Sequence, residues 1–194
     1  MTFITVVPEC EAEGAAKALY EGAKARFGFV PNMAKAFSHR PEVWQAWGAL
    51  LESIKSRLEP RRYELVTLAA AQELRSSYCM LAHGSILVRD FFSNGDMEAI
   101  INKTPAENLE EGDRAVMQFA QKLVRDASSV TESDIENLRK VGLTDDEIFD
   151  IAGAAAARCF FSKILDALGT HPDNIYNELD EDLRKMLTVG RPIE

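Results

Sequence analysis

The chain has 194 residues, 46% hydrophobic and 27% charged, the balance of a folded globular protein long enough to bury a sizeable core. Its 31 acidic and 22 basic side chains give a formal net charge of -9, which repels phosphate backbones and argues against a nucleic-acid partner. No run approaches the roughly 20 apolar residues a membrane span needs, and the first residues lack a basic start followed by an apolar stretch, so neither a membrane partner nor a secretory signal is expected. Cys10, Cys79 and Cys159 are widely spaced and odd in number, which fits reduced thiols in a soluble, cytoplasmic protein better than a secreted disulfide framework.

Helix signals dominate the chain from its start. Residues 2–7 read as a strand too isolated to build a sheet. Residues 11–27, rich in Ala, Glu, Lys and Leu, read as a helix stopped by Gly28. Pro31 opens a short segment through Phe37, and Pro41 takes the first position of a helix to about residue 57. In that helix Val43, Trp44, Trp47, Leu50, Leu51 and Ile54 recur as one buried stripe. Pro60 starts another, with Leu65, Leu68, Ala69 and Gln72 on successive turns. Arg75, Ser76 and Ser77 break it, and the next helix carries Cys79 through about Phe92. Asn94-Gly95 reads as a turn before a short helix over 96–101. Residues 110–126 are amphipathic, with Ala115, Val116, Phe119 and Leu123 inward. Thr131 with Asp134, and Thr144 with Glu147, have the capping-box pattern and open helices ending near Gly142 and at Gly169. The fold class is all-α, with over half the residues helical.

One internal similarity bears on organisation. ELVTLAAA from Glu64 aligns with EIFDIAGA from Glu147 at an offset of 83, so that 64–83 matches 147–166. The offset places Ser76 on Cys159, Cys79 on Ser162 and His83 on Asp166. Two readings stand. Either two Ala-rich helices are alike by composition, or the chain holds two similar helical halves about a pseudo-twofold axis, with the histidine kept in one.

Cys79 and His83 are four residues apart and share a helix face. Ser76 or Ser77 at the N-cap would put Cys79 in a first turn, where unpaired amides favour a thiolate. His83 can take the thiol proton, and Glu64 in the preceding helix can hold the other ring nitrogen. Spacing alone leaves a bland reading open, since cysteine is often a small buried hydrophobe and an inward histidine a satisfied core residue. Glu64, Cys79 and His83 are also donor types that Zn²⁺ accepts, but without paired cysteines or a nearby second histidine no metal or cofactor is assigned. His39 and His171 stand in exposed-loop contexts and Cys10 near the start; none is given a role.

The stretch resembles the AhpD-like alkylhydroperoxidase family, which shares a helical fold with carboxymuconolactone decarboxylase. That family carries Glu-Leu-Val, then Cys-x-x-Cys, then His four residues after the second cysteine. Glu64, Cys79 and His83 fall at those places, and Ser76 stands where the first cysteine would be. FGFVPN from Phe27, Arg40-Pro41, Arg125-Asp126 followed by Ser129-Val130-Thr131, and Gly169 before Pro172-Asp173 are similar to the peroxidase-related subgroup. The resemblance implies a single AhpD-like helical domain over 1–194 that forms a homo-oligomer. It implies a thiol-dependent peroxidase whose partners are a small hydroperoxide and a thiol reductant. Cys79, His83 and Glu64 would be catalytic, with Ser76 and Tyr78 supporting. A CxxC pair recycles through its own disulfide; with Ser76 the second thiol must be external or Cys159. Two alternatives remain: a carboxymuconolactone decarboxylase-like enzyme using His83 as acid or base, with Arg61, Arg62 or Arg75 for an acidic substrate, and a non-enzymatic oligomeric module.

Overall fold

Prolines and caps start the helices where the sequence places them. The computed structural model describes residues 2–194, and among these 71% are helical and none forms a strand. Helices α1 (Gly14–Phe27), α2 (Asn32–Ala36), α3 (Pro41–Lys55), α4 (Pro60–Leu74) and α5 (Ser77–Asp90) lead into α6 (Asn94–Ile101) and α7 (Glu111–Asp126). Then come α8 (Glu132–Lys140), the long α9 (Asp145–Ala167) and α10 (Glu181–Leu187). Pro41 and Pro60 occupy first-turn positions, where a missing N–H is harmless. Gly28 ends α1 at φ 82, a left-handed conformation open to glycine. The amide of Thr131 donates to Asp134 at 2.7 Å and that of Thr144 to Glu147 at 2.8 Å, fixing the starts of α8 and α9.

Three local expectations are corrected, and one helix is added to those expected. Residues 2–7 form no strand: the amide of Phe3 donates to the Leu168 carbonyl at 2.8 Å, and no neighbouring strand offers a ladder. Asn94-Gly95 lies in the first turn of α6, because Ser93 and Asp96 close a capping box around it. Leu50 is 48% exposed, so the buried stripe of α3 narrows to Trp47 and Ile54, with Val43, Trp44 and Leu51 half-buried. A further helix, α10, follows Asp180, whose side chain accepts from the amides of Asp182 and Leu183.

The core sits around α4, buried continuously from Tyr63 to Ala71 between α5, α7 and α9. Ala69, Ala70 and Ala71 on α4, with Ala154 and Ala155 on α9, are all buried; such small side chains let helix axes approach closely. On the other side of α9, Phe161 stacks on Trp47 and Phe37 with ring centroids 5.0 and 5.8 Å apart. No helix among the described residues is long and apolar enough to cross a membrane.

The C-terminal segment braces the start of α5. The amide of Gly190 donates to the Ser77 hydroxyl at 2.7 Å, and Leu187 is fully buried against Gly84. A Cβ at Gly190 would fall inside contact distance of the Arg75 carbonyl oxygen, a backbone atom that cannot swing away. Gly190→Ala is therefore expected to destabilise the protein by about 1–3 kcal/mol through overpacking. For a chain of this length that lowers Tm by several degrees; an unchanged Tm would contradict the brace.

Candidate functional site

The turn between α4 and α5 sets the site. Arg75 takes φ 55, which stops α4 and redirects the chain, so that Ser76 is the N-cap of α5 and Cys79 its third residue. Cys79 thus lies in the first turn, as its sequence context implies. The Ser76 hydroxyl is buried and caps no amide of α5. Ser77 is occupied by Gly190.

Cys79 is 1% exposed, and its sulfur receives two hydrogen bonds from α9. Ser162 Oγ donates at 3.1 Å and Arg158 Nη1 at 3.5 Å. The same guanidinium donates through Nη2 to the Tyr63 hydroxyl at 3.3 Å. It also lies over the rings of Phe161 and Trp47, 5.5 and 5.8 Å from their centroids.

Beside this cluster, His83 Nδ1 is hydrogen-bonded to the Glu64 carboxylate. The His83 side chain is 12% exposed, and its ring meets that of Tyr63 edge-on with centroids 6.3 Å apart. The Lys55 ammonium sits 4.6 Å from the centre of the Tyr63 ring. Burial, reinforced by the Arg158 charge, pushes His83 below its ordinary value, against the upward pull of Glu64. The imidazole is therefore neutral at neutral pH. Burial alone would raise Glu64, but the contact with His83 and the cations Lys55 and Arg158 hold it below the usual carboxylate range. Tyr63 is raised, chiefly by burial, and stays a phenol.

Glu64 and His83 are thus brought together, while the Cys79 sulfur takes its hydrogen bonds elsewhere. Among the described residues no hydrogen bond joins Cys79 to His83; the two donors on α9 take the sulfur and Glu64 takes the ring. Tyr78 secures the start of α5: its hydroxyl donates to Asp173 and accepts from the Met33 amide at 3.2 Å. Asp173 in turn accepts from the Asn32 amide at 2.8 Å. The residues that sequence reasoning missed are Arg158, Ser162 and Tyr63. A signal existed for one: the 83-residue offset pairs Cys79 with Ser162, and those two side chains touch.

The other named groups lie apart from this network. Arg61 pairs with Glu110 at 3.4 Å and with Asp113, while Arg62 reaches Glu147 at 3.7 Å. Arg75 donates to the Val189 carbonyl at 3.4 Å. Cys159 is half-buried on α9, its thiol pushed up by burial, and all three cysteines are free. Among the described residues no group of three or more His, Cys, Asp and Glu side chains is arranged to hold a metal ion.

No family model matches the chain, and no curated protein matches it in sequence. Solved structures match it in fold. An AhpD-core, uncharacterized peroxidase-related protein from Ralstonia eutropha JMP134 shares 23% identity and a TM-score of 0.78 over 98% of both chains. An uncharacterized peroxidase-related protein from Silicibacter sp. TM1040 shares 22% identity and a TM-score of 0.74 over 91% of both. A debrominase shares 14% identity and a TM-score of 0.75 over 95% of this chain and 97% of its own. The chain therefore has the AhpD-like helical fold that the pattern of Glu64, Cys79 and His83 implies.

Proposed function

We propose that the protein is a thiol-dependent peroxidase that reduces alkyl or hydrogen peroxide through Cys79. The debrominase with the same fold means that fold alone does not choose the chemistry, so the choice rests on side chains. The observation that carries it is a first-turn cysteine whose sulfur receives two hydrogen bonds, set on the same helix as a carboxylate-oriented histidine. The three arginines expected to meet an acidic substrate are engaged with Glu110, Asp113, Glu147 and the Val189 carbonyl, which weighs against the decarboxylase-like alternative.

The reaction follows from these groups. The Cys79 sulfur attacks the outer oxygen of the hydroperoxide, an S–O bond forms, and the O–O bond breaks with departure of an alkoxide. Overall, thiol and hydroperoxide become sulfenic acid and alcohol. One proton must pass from the sulfur–oxygen centre to the alkoxide. His83 is the relay: Nδ1–H donates to Glu64, leaving Nε2 with a free lone pair. Residues four apart on a helix have Cβ atoms about 5–6 Å apart, so a rotamer change or a bound substrate brings Nε2 into range. A thiol then condenses with the sulfenic acid, releasing water, and a second thiol frees Cys79 from the mixed disulfide. Since Ser76 cannot supply the first thiol and, among the described residues, no hydrogen bond links Cys159 to the Cys79 sulfur, an external thiol is the reductant in this reading. The enclosed sulfur requires local opening to admit substrate.

Two predictions test this reading. A protonated imidazole cannot accept a proton, so the rate of peroxide reduction should fall as pH drops through the His83 titration, with a midpoint below 6.5. Glu64→Gln removes an upward contribution and should move that midpoint lower still; a wild-type midpoint above 6.5 would count against the relay. Stopped-flow oxidation should also show Cys79 reacting much faster than free cysteine at neutral pH. Cys79→Ser should abolish that phase and Cys10→Ser leave it intact. His83→Ala should slow it by roughly 10²–10⁴-fold. Turnover should stall after one equivalent without added thiol, and Ser76→Cys should form a disulfide with Cys79 that an added dithiol reduces, giving faster recycling. A wild-type Cys79 no faster than free cysteine would sink the peroxidase reading.

A further inference from the structure

Arg158 makes no direct hydrogen bond to a carboxylate. It is 4% exposed, and its hydrogen bonds go to a sulfur and a phenol, not to Asp or Glu. Its Nε is buried with no acceptor, and its flat faces meet two aromatic rings. An unpaired charge in a protein interior is strongly unfavourable unless an anion or a dense set of acceptors compensates it. Five N–H donors here find only two acceptor atoms.

Of the acidic groups nearby, two take hydrogen bonds from the guanidinium, Tyr63 and Cys79. From α4, the Glu64 carboxylate feels the Arg158 charge across space but makes its hydrogen bond to His83, and Tyr63 is held neutral by burial. From α5, His83 is neutral; from α3, Lys55 adds only positive charge. Beyond α9, Asp173 is engaged by Tyr78 and Asn32, and Tyr176 is raised by burial. What remains at hydrogen-bond distance from the guanidinium is Cys79, whose sulfur already accepts from both Arg158 and Ser162.

We infer that Cys79 rests as a thiolate, ion-paired with Arg158 and held by the Ser162 hydroxyl, so that Arg158 is the positioning residue that makes the sulfur a nucleophile. The thiol proton is released to solvent on forming the pair. This deepens the peroxidase reading and rests on it only for its catalytic meaning: the proton that His83 relays is then the hydroperoxide's own. Thiolate and hydroperoxide become sulfenate and alcohol, the negative charge staying on the sulfur–oxygen group beside Arg158.

The test needs no peroxide. The thiolate ultraviolet absorbance of the folded protein, taken as wild type minus Cys79→Ser, is followed against pH. One thiolate per chain is expected at neutral pH. Arg158→Met should reduce the thiolate fraction there on the order of tenfold, while Arg158→Lys, which keeps the charge, should retain more of it. Should Arg158→Met fail to fold, the wild-type difference spectrum and the Lys variant, compared with Arg158→Gln, decide the matter. Absence of a Cys79 thiolate from the folded wild type at neutral pH would overturn the inference, as would a thiolate indifferent to removal of the Arg158 charge. A thiolate that depends on Arg158 but does not react with peroxide would sustain the ion pair and overturn only the peroxidase reading.

Discussion

A full positive charge is buried on α9, and the arrangement of the site follows from accommodating it. Arg158 lies on a helix packed against α4, and buried small side chains on both, Ala69, Ala70 and Ala71 on α4 and Ala154 and Ala155 on α9, let such helices lie close. Trp47 and Phe161 wall the guanidinium on its apolar faces. Tyr63 and Cys79 receive its hydrogen bonds, and Ser162, one helical turn further along α9, completes the shell around the sulfur. The same charge lowers His83 and steadies Glu64 as an anion. One side chain thereby sets the electrostatics of both halves of the site. In a low-dielectric interior each of these contacts weighs more than it would in water.

Much of the scaffold was legible because it rests on local chemistry. Pro41, Pro60, Gly28 and the pairs Thr131/Asp134 and Thr144/Glu147 act within one turn of chain, and the helices begin or end beside them. Residues 2–7 misled because β-branched residues favour a strand only where a partner exists. The C-terminal helix went unread although Asp180 is an ordinary cap, since Glu181, Asp182, Arg184 and Lys185 mask the buried Leu183 and Leu187. Within the site, Glu64 and His83 were readable from the spacing and the resemblance. Arg158 was not. A lone arginine in an Ala-rich run gives no local sign that its partner lies 79 residues earlier. Four-residue spacing put Cys79 and His83 on one face, but rotamers and competing partners decided which atoms meet.

The turn that carries Cys79 is fixed from three directions. Arg75 adopts the left-handed conformation that ends α4, Tyr78 ties the first turn of α5 to Asn32 and Met33 through Asp173, and Gly190 closes on Ser77. Such bracing holds the sulfur against α9 and keeps water away, which strengthens the hydrogen bonds it accepts. It also means that substrate entry and bracing compete: whatever opens the site must loosen part of this packing. Ser76, buried at the N-cap, stands where the family resemblance implies a resolving cysteine. The proposed chemistry therefore separates into an oxidation the chain performs alone and a reduction that needs a visitor.

The most direct measurement is the mass and position of the first oxidation product. After one equivalent of hydrogen peroxide in the absence of thiol, trapping with a sulfenic-acid-selective reagent and peptide mapping should place a single oxygen on Cys79, with Cys10 and Cys159 unmodified. Oxygen distributed over the three cysteines, or confined to the exposed Cys10, would contradict the account.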